Sequence, residues 1–480
     1  MNLADYASHD GLGLAALVRA GEVTPRQLAL LAIEGAGRVN PSLCAMVEAF
    51  AGKAERLRLE DVPDGPFRGV PFLLKDLGAM EAGVRCELGS RLAAGLVADH
   101  DSELGRRFRR AGLVSVGRAT TSELGIAGIT ETLAVGRTCS PWSAGHMAGG
   151  SSGGSGAAVG AGIVPVAHAS DGGGSIRIPA SACGVVGLKP TRGRVSPAPD
   201  AGDPLSGWAV RFAVTRTVRD TAALLDAVHG PAPGDPHVAP PPARPFLDEV
   251  GAPPGRLRIA YCSRPWSDKP AHPDVVAAVE ATAALLADLG HDLAADEPPL
   301  DWEPFLEAMT DMWAAHTAHG IDAVAAALGR TPGLDNLERV TYGFWLHGRS
   351  ITAQRLLDCL DYFNTVCRRV APLFETYGVL LTPTLGHPSA PLGGYDPDAA
   401  VAPRDFFDSS SHLDGFLPLF NCTGQPAISL PLCQSPDRLP LGMQLVGRFG
   451  DEATLLRLAA QLEEAQPWRD RRPPVHVAGS

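Results

Sequence analysis

AGGSSGGSG at residues 148–156 and SDGGGSIRIP at residues 170–179 form the densest motif of this chain. Glycine permits positive φ angles and a close approach of backbone N–H groups to a ligand, at a conformational cost that an ordinary loop has no reason to bear. The run from Gly172 to Ser175 can therefore aim consecutive N–H groups at a developing oxyanion, as acyl transfer requires. The pattern makes Ser175 a candidate nucleophile.

Two other kinds of site share part of this pattern. A phosphate-binding loop has the form G-x-x-x-x-G-K-[ST] or G-x-G-x-x-G, and neither occurs in these segments. The G-x-S-x-G turn of lipases is matched at 150–154, with Ser152 as nucleophile. That turn follows a strongly apolar strand, whereas His146-Met-Ala precedes this one, and later histidines such as His387 and His412 stand among loop-like residues. Ser175 is favoured, while Ser151 and Ser152 are hardly distinguishable.

A serine nucleophile needs a base, and Lys75 is the best candidate. The apolar run GVPFLL at 69–74 predicts a short buried strand that ends in Lys75 and Asp76. Burial disfavours the ammonium form and so lowers the pKa of a lysine. From its usual value of about 10.4, the pKa must fall by about 3 units for the amine to act as a base near neutrality. Lys75 is therefore a base on the condition that it is buried.

GVPFLLKD, GGSSGGSGAA and DGGGSIRIPASACGVVGLKPTRGRVS together resemble the motifs of the amidase signature family, and the likeness extends over nearly the whole chain. In that family a lysine, a serine after a cis peptide bond and a nucleophilic serine form the catalytic triad. The resemblance assigns these roles to Lys75, Ser151 and Ser175, and implies a cis peptide bond before Ser151. No cofactor and no metal are implied.

The resemblance also implies roles for other residues. The oxyanion hole falls on the backbone of Gly172, Gly173, Gly174 and Ser175. Ser170 is a position that hydrogen-bonds the triad, while Asp171 and Arg177 hold the glycine loop in shape. The positions near the substrate are Ile126, Ala127, Gly128, Ile129 and Thr130. Trp313, in an aromatic and Met-rich helical region with Met309, Met312 and Phe344, is a candidate for the pocket wall, while core packing is the alternative and is favoured for any single one of these residues.

Within the family, SGAAV, PVAH, SIRIPAS, NCTGQPAISLPL and PWRDRRPPVH are similar to bacterial hydrolases of linear and cyclic amides of the nylon-oligomer type. Those enzymes typically have Asp-Ala-Ala-Gly-Ser or Asp-Thr-Gly-Gly-Ser before the nucleophile. This chain has Asp171-Gly-Gly-Gly-Ser175, which predicts a more open and flexible loop with a different substrate fit.

Alternating helical and β-prone segments predict an α/β fold, in which a single large mixed β-sheet is sandwiched by α-helices. Thr24-Pro-Arg-Gln27 predicts a helix N-terminus with a capping box. We expect one domain over 1–480. Its expected parts are a catalytic core at 60–230, a mostly helical substrate-pocket region at 235–375 and a return to the core sheet at 376–480.

The composition limits partners and location. There are 41 basic and 53 acidic residues, a net charge of −12, and no Lys/Arg run that would follow a phosphate backbone, so nucleic acid is not an expected partner. Nine scattered cysteines are predicted to be reduced core residues. The acidic N-terminus does not resemble a secretory signal, and no segment is long and apolar enough to span a bilayer. We expect a cytoplasmic protein without a membrane partner; a homodimer stays open.

The predicted function is amide hydrolysis through a Ser175 acyl-enzyme, with Ser151 and neutral Lys75 as the proton relay. The expected substrate is a small hydrophobic or linear or cyclic amide, with esters and carbamates as related possibilities. An alternative on the same fold is the glutaminase (A) subunit of a tRNA-dependent amidotransferase, against which the aromatic residues of 300–350 argue. A non-catalytic binding protein is a third alternative, and the complete triad argues against it.

Overall fold

A computed structural model describes residues 1–267 and 269–479. Within these residues the strands are β1 (Met46–Ala49), β2 (Pro71–Lys75), β3 (Val114–Ala119), β4 (Glu131–Thr132), β5 (Gly136–Arg137), β6 (Cys139–Ser140), β7 (Ser143–Met147), β8 (Val166–Asp171), β9 (Val186–Lys189), β10 (Val210–Thr215), β11 (Arg258–Tyr261), β12 (Asp292–Ala295), β13 (Val379–Pro383), β14 (Ala427–Gln434) and β15 (Pro440–Gly447).

The helices in the same residues are α1 (Leu3–Ser8), α2 (Gly11–Arg19), α3 (Pro25–Leu43), α4 (Ala51–Arg56), α5 (Glu103–Arg110), α6 (Gly153–Gly160), α7 (Arg177–Cys183), α8 (Val218–Val228), α9 (Pro273–Asp288), α10 (Trp302–Leu328), α11 (Arg339–Ser350), α12 (Ala353–Thr376), α13 (Pro403–Asp414), α14 (Pro418–Cys422) and α15 (Glu452–Ala465). Short 3-10 turns occur at Leu59–Asp61, Glu123–Gly125 and Phe246–Glu249. Across this described part of the chain, no helix combines the length and apolarity needed to cross a bilayer.

One mixed sheet organises the fold. In the described residues it has 11 strands in the order β1-β3-β2-β8-β10-β9-β14-β15-β13-β11-β12. β2 is parallel to β3 and β8, and β11 is parallel to β12 and β13, whereas the other neighbouring pairs are antiparallel. The predicted α/β class with a large mixed sheet is confirmed. Segment 376–480 contributes β13, β14 and β15, and the mostly helical region 235–375 adds β11 and β12.

Local sequence signals set several element boundaries. The predicted capping box is present, because the Thr24 N–H donates to Gln27 Oε1 at 2.8 Å and the Gln27 N–H donates to Thr24 Oγ1 at 3.2 Å. The predicted strand at 69–74 is β2, which starts two residues later and includes Lys75 as its last residue. All nine cysteines are free, and five are buried while four are partly exposed.

The last three glycines of AGGSSGGSG have a packing role, not the loop role that the motif indicates. Gly153, Gly154 and Gly156 lie in α6, where they allow close packing. A Cβ on Gly154 would stand 2.3 Å from the Thr120 backbone nitrogen, and one on Gly156 would stand 2.8 Å from the Pro179 Cβ. Absence of side chains thus lets α6 sit directly on the end of β3 and on α7.

We expect Gly154→Ala to lower the free energy of unfolding by at least about 1–3 kcal/mol, since an added methyl group would overlap the backbone of β3 and overpacking costs this much. Urea unfolding measures the change. Gly37→Ala is the matched control. Gly37 is an exposed helical glycine, and an added methyl group there would have no neighbouring atom within 4 Å, so the control should be neutral or slightly stabilising. Equal unfolding midpoints for the two variants would contradict the packing argument.

Candidate active site

Lys75 is buried at the end of β2, between β3 and β8, with 1% of its surface exposed. Its Nζ lies 2.7 Å from Ser151 Oγ and 2.8 Å from Ser170 Oγ. Burial lowers the pKa of Lys75 to about 7, although the charge of Asp171 acts in the opposite direction. Sequence analysis required Lys75 to be buried if it is to act as a base, and the structure shows that it is buried.

The structure separates two serines that are adjacent in the sequence. Ser151 follows a cis peptide bond from Gly150 and directs its hydroxyl to Lys75. The Ser152 hydroxyl donates to the Ser170 carbonyl at 3.2 Å and accepts from the Ser170 N–H at 3.3 Å. Ser152 therefore joins α6 to β8, and of these two adjacent serines Ser151 is the one that bonds Lys75.

Ser175 lies between β8 and α7 with 8% of its surface exposed. Among the glycines before it, Gly174 has a different role from the predicted one. Its N–H donates to Asp171 Oδ1 at 2.8 Å, and its φ of +138° is a conformation that favours glycine. Within the predicted oxyanion hole, the N–H groups that remain for a ligand are those of Gly172, Gly173 and Ser175.

Asp171 and Arg177 form a buried ion pair, and neither side chain has exposed surface. Arg177 Nε donates to Asp171 Oδ2 and Arg177 Nη2 donates to Asp171 Oδ1, both at 2.9 Å. Asn421 Nδ2 donates to Asp171 Oδ1 at 2.8 Å, and Arg177 Nη1 donates to Gln444 Oε1 at 2.7 Å. Burial alone raises the pKa of Asp171, but the Arg177 charge and these hydrogen bonds outweigh it and hold the pKa at about 2.

A small cavity opens beside Ser175. Its walls are mostly apolar and come from segments far apart in the chain. The lining residues are Ile126, Gly128, Gly173, Ser175, Ile178, Trp302, Met309, Trp313, Phe407, Ser410, Asp414 and Pro418. The predicted substrate contacts Ile126, Gly128 and Trp313 are therefore at the cavity, whereas Met312 and Phe344 are fully buried core residues.

Three of the predicted substrate positions lie away from the cavity wall. Thr130 Oγ1 donates to the Gly149 carbonyl at 2.9 Å and accepts from the Gly153 N–H at 3.2 Å. Ile129 packs in a separate apolar cluster with Met147. The Ala127 carbonyl accepts from Ser122. None of these three residues lines the cavity, and Thr130 supports the serine motif by bonding its backbone.

The glycine loop is covered, although its sequence predicts an open one. A Cβ on Gly172 would lie 3.2 Å from Trp313 Cη2 and 2.9 Å from Leu205 Cδ1, and a Cβ on Gly173 would lie 3.3 Å from the Trp313 ring. Trp313 also packs edge-on against Phe407, with ring centroids 5.4 Å apart. The indole ring thus occupies the space beside the loop that alanine side chains would need.

Several site residues carry no recognisable sequence signal. Asp414 and Phe407 lie in α13, a segment that the sequence leaves without a role, and Asn421 belongs to a family-like stretch without an assigned function. His412 also lies in α13, not in a loop as expected, and packs edge-on against His387 with ring centroids 5.1 Å apart. The described residues contain no group of three or more His, Cys, Asp or Glu side chains placed to hold a metal ion.

Known proteins are similar to this chain in both sequence and fold. The Amidase family model matches residues 30–456. The 6-aminohexanoate-cyclic-dimer hydrolase of Paenarthrobacter ureafaciens is 38% identical over 477 residues, which cover 97% of this chain and 96% of that protein. A solved structure of 6-aminohexanoate cyclic dimer hydrolase complexed with substrate has a TM-score of 0.93 at 37% identity and covers 98% of this chain and 99% of its own. A bacterial aryl acylamidase of the amidase signature family has a TM-score of 0.83 at 25% identity, with 96% of each chain covered.

We expect Asp171→Asn to lower the free energy of unfolding by about 3–5 kcal/mol, because it leaves the guanidinium of Arg177 buried without a counter-charge. Urea unfolding measures the loss. Asp292→Asn is the matched control, since Asp292 pairs with Arg256 at the surface, where removal of an ion pair costs about 1 kcal/mol or less. A loss no larger than that of the control would refute a supporting role for the buried pair.

Proposed function

This chain belongs to the amidase family and is an amide-hydrolysing enzyme, and on that premise we propose that Ser175 is its nucleophile, activated through Ser151 by neutral Lys75. The observation that carries the proposal is the 2.7 Å contact between Lys75 Nζ and Ser151 Oγ, made by a fully buried lysine. An amine that is largely neutral near pH 7 accepts a proton, whereas an ammonium group does not.

The proposed reaction has two halves. Lys75 takes the proton of Ser151 while Ser151 takes that of Ser175, and Ser175 Oγ attacks the substrate carbonyl carbon. The relay then protonates the leaving nitrogen, and an acyl-enzyme remains. Water attacks the ester by the reverse route and releases the acid. The second contact of Lys75, with Ser170 Oγ at 2.8 Å, supports a role for Ser170 in orienting the amine.

The oxyanion of the proposed reaction needs backbone N–H donors beside Ser175. We assign the oxyanion to the N–H groups of Gly172, Gly173 and Ser175, because the Gly174 N–H donates to Asp171.

In the described residues no hydrogen bond joins the Ser151 and Ser175 hydroxyls. Catalytic hydrogen bonds are often long without substrate and tighten only when it binds.

The proposed substrates are small amides with an apolar part, linear or cyclic, with esters and carbamates as related substrates. The aromatic and Met-containing cavity wall, with Trp302, Met309, Trp313 and Phe407, supports this class. So does the similarity to a hydrolase of the cyclic dimer of 6-aminohexanoate. The glutaminase subunit of an amidotransferase requires partner subunits and a small polar pocket. Hydrolysis of an anilide by the purified chain without partners would therefore eliminate that alternative.

Ser175→Ala should abolish covalent labelling by a fluorophosphonate and reduce anilide hydrolysis by roughly 10⁴-fold or more, since the acyl-accepting oxygen is removed. Ser152→Ala should keep the labelling, because the Ser152 hydroxyl bonds the backbone of Ser170. Gel fluorescence of the labelled protein and initial hydrolysis rates measure both effects. A dead Ser152→Ala with an active Ser175→Ala would instead support the lipase-type turn.

The pH profile of kcat/KM tests the base. Protonated Lys75 accepts no proton, so activity should be lost as the pH falls through the Lys75 pKa of about 7 and be complete above it. Lys75→Ala should recover activity only at high pH. Initial rates across neutrality measure the profile.

Lys189 provides the matched control for this profile. Burial lowers the pKa of Lys189 to about 7 as well, but its Nζ donates to the Pro190 carbonyl at 3.0 Å. Lys189→Gln should therefore leave the inflection in place. A profile that stays unchanged in Lys75→Ala, or that moves in Lys189→Gln, would refute Lys75 as the base.

A further inference from the structure

Asp414 is the only ionisable residue among the described residues that line the cavity beside Ser175. It ends α13, and its side chain reaches across to the segment that carries Gly128. A Cβ on Gly128 would stand 3.1 Å from Asp414 Oδ2, so the carboxylate rests directly against that wall. The carboxylate and the nucleophile thus share one small enclosure.

Asp414 has no cationic partner in the described part of the chain. Its one side-chain hydrogen bond there is accepted from Ser410 Oγ, at 3.3 Å from Oδ1. The cation whose charge acts on it is Lys269, and the Lys269 Nζ is already paired with Asp408 Oδ2 at 2.9 Å. Burial raises the pKa of Asp414 to about 7, which is the signature of a carboxylate without an adequate counter-charge.

Aromatic rings surround the same enclosure. Trp302, Trp313 and Phe407 line it, together with Met309. The negative face of an aromatic ring attracts a cation, most strongly where water is excluded. An unpaired carboxylate beside several rings is therefore a site for an ammonium group, which would bring the missing positive charge and also contact the rings. A purely apolar substrate would leave the partly buried carboxylate without a positively charged partner.

We propose that Asp414 is a specificity-determining residue that binds a protonated amine of the substrate while Ser175 attacks the amide carbonyl. This inference rests on the proposed function and narrows its substrate class to amides that carry a primary ammonium group at the end of an apolar chain. The amine bonds the carboxylate oxygens of Asp414, the chain lies along the aromatic wall, and the amide reaches Ser175 and the N–H groups of Gly172 and Gly173.

Two matched series of probes test the proposal. The first consists of ω-aminoacyl p-nitroanilides of increasing chain length, each compared with the alkanoyl anilide in which a methyl group replaces the ammonium group. The second carries the amine on the leaving group, as alkanoyl amides of diaminoalkanes, compared with simple alkylamides. We expect the enzyme to prefer the amino compound at the matching chain length in one series, which also tells on which side of the bond the amine lies.

Asp414→Asn should lower this preference, the ratio of the two kcat/KM values, by roughly 10- to 100-fold, because a hydrogen bond to a charged group is lost. Asp414→Glu retains the charge on a longer side chain, so its preference should persist and move to a shorter substrate. Asp405→Asn is the control on the same helix, because Asp405 is exposed and lies outside the cavity. The ratio of the two kcat/KM values for this variant should match that of the parent enzyme.

The outcomes separate this inference from the proposed function. If the fluorophosphonate labels Ser175 and the neutral anilides are hydrolysed, but no amino compound is preferred in either series, the role of Asp414 is refuted and the proposed function stands. A preference that survives in Asp414→Asn, or that does not move in Asp414→Glu, refutes it as well. If the parent enzyme neither labels nor hydrolyses any probe, the proposed function fails and this inference fails with it.

Discussion

The buried ion pair between Asp171 and Arg177 is the interaction on which the site depends. Asp171 ends β8, Arg177 begins α7, and the pair closes the glycine loop between them. The same guanidinium bonds Gln444 of β15 and Asn421 of α14, so that the C-terminal segment is fixed to the glycine loop. Ionised groups without exposed surface persist only when each hydrogen-bonding atom is satisfied, and this network satisfies them.

Lys75 and Asp171 are both buried, but their pKa values respond differently because their partners differ. The interior of the sheet removes water from Lys75, which disfavours the ammonium form and lowers the pKa to about 7. Asp171 stays ionised at the same depth because Arg177 neutralises it and keeps its pKa low. The C-terminal ends of the neighbouring strands β2 and β8 thus hold a lysine with a lowered pKa and a charged carboxylate. The difference lies in the partners of each group, not in how deeply it is buried.

Glycine is used for three different reasons in two short stretches of chain. In α6 it permits helix-to-strand contact, at Gly174 it permits a positive φ that turns the N–H toward Asp171, and at Gly172 and Gly173 it leaves room for the Trp313 ring. A loop that contains only glycine is flexible in isolation, because each residue has a wide range of backbone angles. Here the indole ring and the ion pair restrict it.

The sequence by itself determined the features that depend on neighbours in the chain or on a specific motif. These are the capping box of Thr24 and Gln27, the strand that ends in Lys75, the α/β class and the family. Tertiary structure alone decided that Thr130 supports the serine motif, that Trp313 covers Gly172, and that Asp414 lines the cavity beside Ser175. Each of these depends on a contact between segments distant in the sequence. Local propensity and spacing carry no information about which distant side chain will fill a given space, so packing of the folded chain makes that choice.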